Sequence, residues 1–124
     1  MNDKSERGAW GEDRAALYLR MRGYRIIERN FRCRQGEIDL IARKGEAVVF
    51  VEVKLRKNAE HGEAREFVTA VKQRRIVSAA ELWLMKNRCE LQPRFDVIEI
   101  YAPDGTKTLR PRINHLENAF GDYF

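Results

Sequence analysis

Two short apolar segments carry acids at alternating positions: Gly36-Glu37-Ile38-Asp39-Leu40-Ile41-Ala42 and Val49-Phe50-Val51-Glu52-Val53-Lys54. Successive side chains of a strand point to opposite faces, so both segments read as strands. The intervening Lys44-Gly45 reads as the centre of a tight turn, with Arg43 facing Glu46. On the first strand Glu37, Asp39 and Ile41 then share a face, with Ile38, Leu40 and Ala42 behind. On the second, Phe50, Glu52 and Lys54 share a face, with Val51, Val53 and Leu55 behind. In that register Asp39 lies opposite Phe50, Glu37 opposite Glu52, and Asp39 and Glu52 are diagonal neighbours. A turn one residue longer would send them to opposite faces.

Carboxylates packed this closely repel, so one must hold a proton or a cation must sit between them. A hard divalent ion with oxygen ligands suits the pair, and Mg²⁺ commonly keeps several waters in such a site. Lys54, two residues beyond Glu52 on the same face, is placed to hold an attacking water or to neutralise charge developing on a phosphate. The alternative is an exposed sheet face on which Glu52 pairs with Lys54 and Asp39 with an arginine.

Charge points the same way. Lys and Arg number 24 against 19 acids, a net +5, and the pI is about 9.5. Arginines cluster at Arg20/Arg22/Arg25, Arg29/Arg32/Arg34 and Arg110/Arg112, with mixed clusters at Lys54/Arg56/Lys57 and Lys72/Arg74/Arg75. A basic domain of this size suggests a polyanionic partner, usually nucleic acid; the plain alternative is a solvated basic surface. No apolar run approaches the roughly 20 residues of a membrane helix, and the first residues lack the apolar core of a secretion signal. The expected location is the cytoplasm. Cys33 and Cys89 fit no metal-binding spacing and read as ordinary small residues.

At 124 residues the chain is expected to form one domain. A helix is predicted over residues 5–22, with Trp10, Leu17 and Met21 on its apolar face and Ala9, Ala16 and Leu19 widening it. Glu12 lies in that widened row, where it either reaches a site or pairs with an arginine. Strands are predicted over 24–33, with an irregularity near Asn30, and over 37–43 and 47–55, forming an antiparallel meander. After a polar loop over 56–62, a second helix is predicted over 63–86. Its apolar face is Val68, Val71, Ile76, Ala79, Leu82 and Trp83, with Lys72 inside the stripe. A fourth strand follows over 94–101, with Phe95, Val97 and Glu99 on one face and Asp96, Ile98 and Ile100 on the other. The tail has apolar residues that can dock on the core. The expected order is α-β-β-β-α-β, an α/β domain.

Asp39 with Glu52-Val53-Lys54 resembles the Asp…Glu-x-Lys core of the PD-(D/E)xK, or restriction-endonuclease-like, superfamily, with Ile38 where the nominal motif has Pro. More closely, the chain resembles the YraN-type family of predicted bacterial endonucleases, related to archaeal Holliday junction resolvases. The matching phrases are Gly11-Glu12, Ala15-Ala16-Leu17-Tyr18-Leu19, Gly23-Tyr24, Asn30-Phe31-Arg32, the two charged strands, Arg94-Phe95-Asp96-Val97 and Asn118-Ala119-Phe120. The resemblance implies a mixed sheet flanked by helices and a DNA endonuclease dependent on Mg²⁺ or Mn²⁺, acting on branched or structured DNA. In it Asp39 and Glu52 would bind metal, Lys54 would act on the water or phosphate, and Glu12 would match an additional acid of the resolvase-like members. Lys72 is a candidate to line the site from the second helix, or else a lysine whose stem packs while its head reaches solvent. Arg56 is a candidate for a phosphate near the strand end. Glu37 would fix an arginine or a metal-bound water. His61 and His115 read as bystanders. Symmetric cutting would require a homodimer, for which Phe120 and Phe124 are surface candidates. The rival reading is a nucleic-acid-binding module that keeps the fold without cleavage; a weaker third is an interaction scaffold.

Overall fold

Gly45, at φ +59°, turns the central hairpin, while Glu46 beside it keeps a negative φ. Glycine first and an ordinary residue second is the pattern of a two-residue II′-type hairpin. The computed structural model describes residues 3–57 and 68–121. Its elements are α1 (Asp3–Met21), β1 (Arg25–Arg32), β2 (Glu37–Lys44), β3 (Ala47–Arg56), α2 (Ala70–Lys86), β4 (Gln92–Tyr101), a 3₁₀ turn (Gly105–Lys107) and β5 (Arg112–Phe120). The five strands form one sheet in sequence order. β3 and β4 run parallel and the other pairs antiparallel. A parallel pair needs a crossover, and α2 lies in it.

The fold is the expected mixed α/β arrangement with one strand more: the order is α-β-β-β-α-β-β. The tail docks by adding β5 to the edge of β4. Its alternation is hidden in the sequence by Asn118, whose φ of +51° breaks the period near the strand's end.

Among the described residues each face of the sheet carries one helix and one apolar cluster. Leu40, Ala42, Val49, Val51, Ile98 and Ile100 pack with Ala15, Ala16 and Leu19 of α1. Ile38, Ile41, Val48, Phe50, Phe95 and Val97 pack with Ile76, Ala79, Ala80 and Trp83 of α2. The alternation of β3 and β4 is therefore as the sequence predicts. On β2 it fails at one place: Ile38 joins Ile41 on the α2 face instead of lying behind with Leu40 and Ala42. The break falls at Asp39, beside Asn30 of β1, which takes φ +54°. Paired partners Arg29↔Leu40 and Phe31↔Ile38 flank it, so both strands flip together.

Each helix buries part of the expected stripe and leaves the rest out: Ala16 and Leu19 of α1 and Ile76, Ala79 and Trp83 of α2 are buried as expected. Leu17 is 49% and Met21 79% exposed, while Ala15, Ala16 and Leu19 are buried. Small residues let α1 lie close to the sheet; an added Cβ on Gly11 would sit 3.8 Å from both Val53 and Leu55. On α2, Val71 is 51% exposed and Val77 and Ala80 take core positions. The helix opens at Ala70, because Thr69 is its N-cap: extended at φ −61°, ψ 161°, it accepts the Lys72 N–H on its side chain. Val68 is buried just before the cap. The expected helical residues 63–67, with His61 and Phe124, lie outside the described residues.

Candidate functional site

Lys44 pairs with Ala47, so the hairpin pivots on Gly45-Glu46, one residue later than predicted. Moving both arms by one changes the pairing by two and leaves the shared faces unchanged. The ladder ends at Leu40↔Val51. Asp39 and Glu52 are the next residues on either strand, so they face each other directly rather than diagonally. Past that point the strands part, and Asp39 Oδ2 accepts the Val53 backbone N–H at 2.8 Å.

Glu52 is 6% exposed, and its Oε1 has two ammonium neighbours: Lys54 Nζ at 3.5 Å and Lys72 Nζ at 2.5 Å. Lys72 arrives from the first turn of α2. The approach of that helix is set by Gly36 in the β1–β2 turn, where an added Cβ would lie 2.9 Å from the Arg75 carbonyl oxygen. Glu12 stands on α1, across the cleft. Among the described residues its Oε1 is buried without a hydrogen-bond partner, and the nearest cation is Arg29 Nη2, 3.8 Å away. Glu12, Asp39, Arg29, Arg32 and Glu37 line one cleft of about 950 Å³. A neighbouring recess of about 480 Å³ holds Lys72, Arg75 and Thr69 and shares Arg32 and Glu37 with it.

Burial and then the Glu52 charge push the Asp39 carboxyl up to about 7, against the help of the Val53 N–H. Burial also raises Glu12, although its hydrogen bond from Asn30 and the charge of Arg29 oppose this. Burial, with the Lys72 ammonium close by, lowers Lys54. Burial works against the Lys72 charge too, but the hydrogen bond and charge of Glu52 prevail and its pKa is raised. Two acids are thus held at a loss, and two lysines share one carboxylate between them.

Asp39, Glu52, Lys54, Lys72 and Glu12 accordingly come together. Glu37 lies at the rim, exposed and 3.4 Å from Arg32 Nε. Arg56 is placed apart: its buried guanidinium pairs with Glu99 and lies 5.6 Å over the Tyr101 ring. Cys33 and Cys89 are free thiols. His115 is more than a bystander. Its Nε2 stands 2.7 Å from the buried Asp96 and its Nδ1 3.2 Å from the Tyr18 hydroxyl. Neither contact has a local sequence signal, since one partner is 19 and the other 97 residues away.

Among the described residues no three or more His, Cys, Asp or Glu side chains are grouped so as to hold a metal ion between them. The donor set nevertheless fits a hard, partly hydrated divalent cation. Asp39 and Glu52 offer oxygens across the parted strands, and Glu12 has a buried oxygen with no donor.

The uncharacterised protein family UPF0102 matches residues 11–100. The chain is similar to a UPF0102 protein of Geobacter sulfurreducens, 51% identical over 116 residues that span 91% of this chain and 87% of the relative. It is similar also to one of Caldanaerobacter subterraneus, 44% identical across 95% of this chain and 97% of the relative. A third, from Caldicellulosiruptor saccharolyticus, is 40% identical across 95% and 99%.

Proposed function

The chain belongs to the uncharacterised protein family UPF0102, and from its site we propose a metal-dependent endonuclease that hydrolyses phosphodiester bonds of branched or structured DNA in the cytoplasm. The observation that carries this reading is the meeting of Asp39, Glu52 and Lys54 where the β2–β3 ladder parts. A basic surround adds to it, with net charge +5 and Arg29, Arg32 and Arg75 in the adjoining clefts.

Asp39 and Glu52 would hold Mg²⁺ or Mn²⁺, with Glu12 facing them across the cleft. Such an ion, when bound, makes a coordinated water more acidic. Lys54 would orient the attacking water and exchange a proton with it, a task suited to an ammonium whose burial loosens its proton. Its positive charge also opposes the negative charge that gathers on the phosphoryl oxygens as water adds and one ester bond breaks. Cutting both strands of a branched substrate symmetrically would need two such sites, as in a homodimer.

A second reading is a nucleic-acid-binding module without cleavage. It is favoured by one observation: Lys54 and Lys72 already neutralise Glu52 as an internal ion pair. Incubating the protein with linear, flap and four-way DNA in Mg²⁺, Mn²⁺ or EDTA, beside Glu52→Ala, separates the two. The nuclease cuts only with metal, and the variant loses on the order of 100-fold in rate. Binding without cutting under every metal supports the module.

A further inference from the structure

Lys72 occupies an electrostatically odd position. Thr69 is the N-cap of α2, so Lys72 is the third helical residue. That position favours a carboxylate, which can reach back to the cap, over an ammonium facing the positive end of the helix dipole. The first turn of α2 has no acid. What offsets the unfavourable placement is Glu52, whose Oε1 lies 2.5 Å from Lys72 Nζ. Lys54 approaches the same oxygen only to 3.5 Å.

We propose that Lys72 is the resident counter-ion of this site: its ammonium holds the position on Glu52 that a divalent cation must take, and loading the site releases it. The inference rests on reading Asp39 and Glu52 as cation ligands. Glu52 is buried and fixed in β3, whereas the Lys72 side chain is 40% exposed. The lysine is therefore the partner that can move. It has somewhere to go, because the recess of about 480 Å³ lined by Thr69, Arg75 and Arg32 opens beside it. An ammonium and a divalent ion on one carboxylate oxygen repel strongly at such range. Lys72 thus sets how tightly the site takes metal and keeps Glu52 neutralised while it is unloaded.

The test titrates Mn²⁺ by calorimetry into the full chain, Lys72→Met, Lys72→Arg and Glu52→Gln. Lys72→Met keeps the stem that packs and removes the competitor, so it should bind Mn²⁺ about tenfold more tightly, within the usual range of coupled sites. Lys72→Arg should stay within about twofold of the parent because the competing charge remains. Glu52→Gln should lose binding. Acylation of lysines read by peptide mass spectrometry should label Lys72 more heavily in Mn²⁺ than in EDTA. Unchanged or weaker Mn²⁺ affinity in Lys72→Met, or Lys72 labelling indifferent to Mn²⁺, overturns the counter-ion role and leaves the metal site standing. Absence of Mn²⁺ binding in both the parent and Lys72→Met overturns the metal site itself, and this inference with it.

Discussion

Asp96 and Glu99 are as deeply buried as any carboxylate in the described chain, yet both are held below the ordinary carboxylate range. Asp39 and Glu12 are also enclosed, and both are pushed above it. Burial opposes the charge in all four; the difference lies in the donors supplied. Asp96 accepts from Arg94 Nε and Nη2 at 2.9 and 2.8 Å and from the Asn118 N–H at 2.9 Å, and His115 Nε2 stands at 2.7 Å. Glu99 accepts from Asn114 and Tyr101, each at 2.9 Å, and pairs with Arg56. These bonds outweigh desolvation. Among the described residues Asp39 has one backbone N–H and a carboxylate opposite, and one Glu12 oxygen has no hydrogen-bond donor. Acids that serve the fold come with their own partners. Acids left short of partners in a cleft mark a place for an outside cation.

The contrast can be broken first at Asp96. Asp96→Ala removes four contacts at once and leaves Arg94 and His115 without their acid between β4 and β5. A cost of about 3–5 kcal/mol is expected, as for a buried pair that loses one member, measured by urea unfolding at neutral pH. A loss as small as that of a surface substitution would mean the network does not hold the edge strand.

Asp39→Asn should act in the opposite direction. With a folded pKa near 7 and an unfolded value near 4, Asp39 holds a proton in the native state across that window that the unfolded chain has released. Stability therefore falls as pH rises from about 4 to about 7. Asp96 and Glu99, being depressed, contribute stability above the ordinary carboxylate range that is lost as pH falls below it. Asn at position 39 removes the first penalty. Without divalent metal it should stabilise the protein by about 1–2 kcal/mol at pH 8, with the gain vanishing near pH 4. Thermal melts at both pH values check this, and destabilisation at pH 8 would place Asp39 with the structural acids.

Much of this was legible in the sequence, and each failure has a physical cause. The period of two on β3 and β4 places Glu52, Lys54, Asp96 and Glu99 on their correct faces, because alternation is local. The meeting of Asp39 with Glu52 survives the wrong turn centre because both lie just past the end of the ladder, where the strands part and Asp39 takes the Val53 N–H. The flip of Ile38 is not legible: it arises from the positive φ of Asn30 on the neighbouring strand. The stripe on α1 misleads in part because the small Ala15 and Ala16 face the sheet while Leu17 and Met21 do not, and on α2 Val71 drops out while Val77 and Ala80 come in. Arg56 looked available for a phosphate because its partner, Glu99, is 43 residues away. His115 was hidden for the same reason, since its partners come from other elements, and β5 was hidden by the break in its period at Asn118.

The central question is whether Asp39 and Glu52 are held together as ligands for a cation. The ¹³C carboxyl resonance of Asp39, followed by NMR through a pH titration with and without Mg²⁺, asks this directly. The expected metal-free midpoint is near 7, and Mg²⁺ should carry it below the ordinary carboxylate range as the ion takes the proton's place. An ordinary midpoint near 4 that ignores Mg²⁺ would contradict the account.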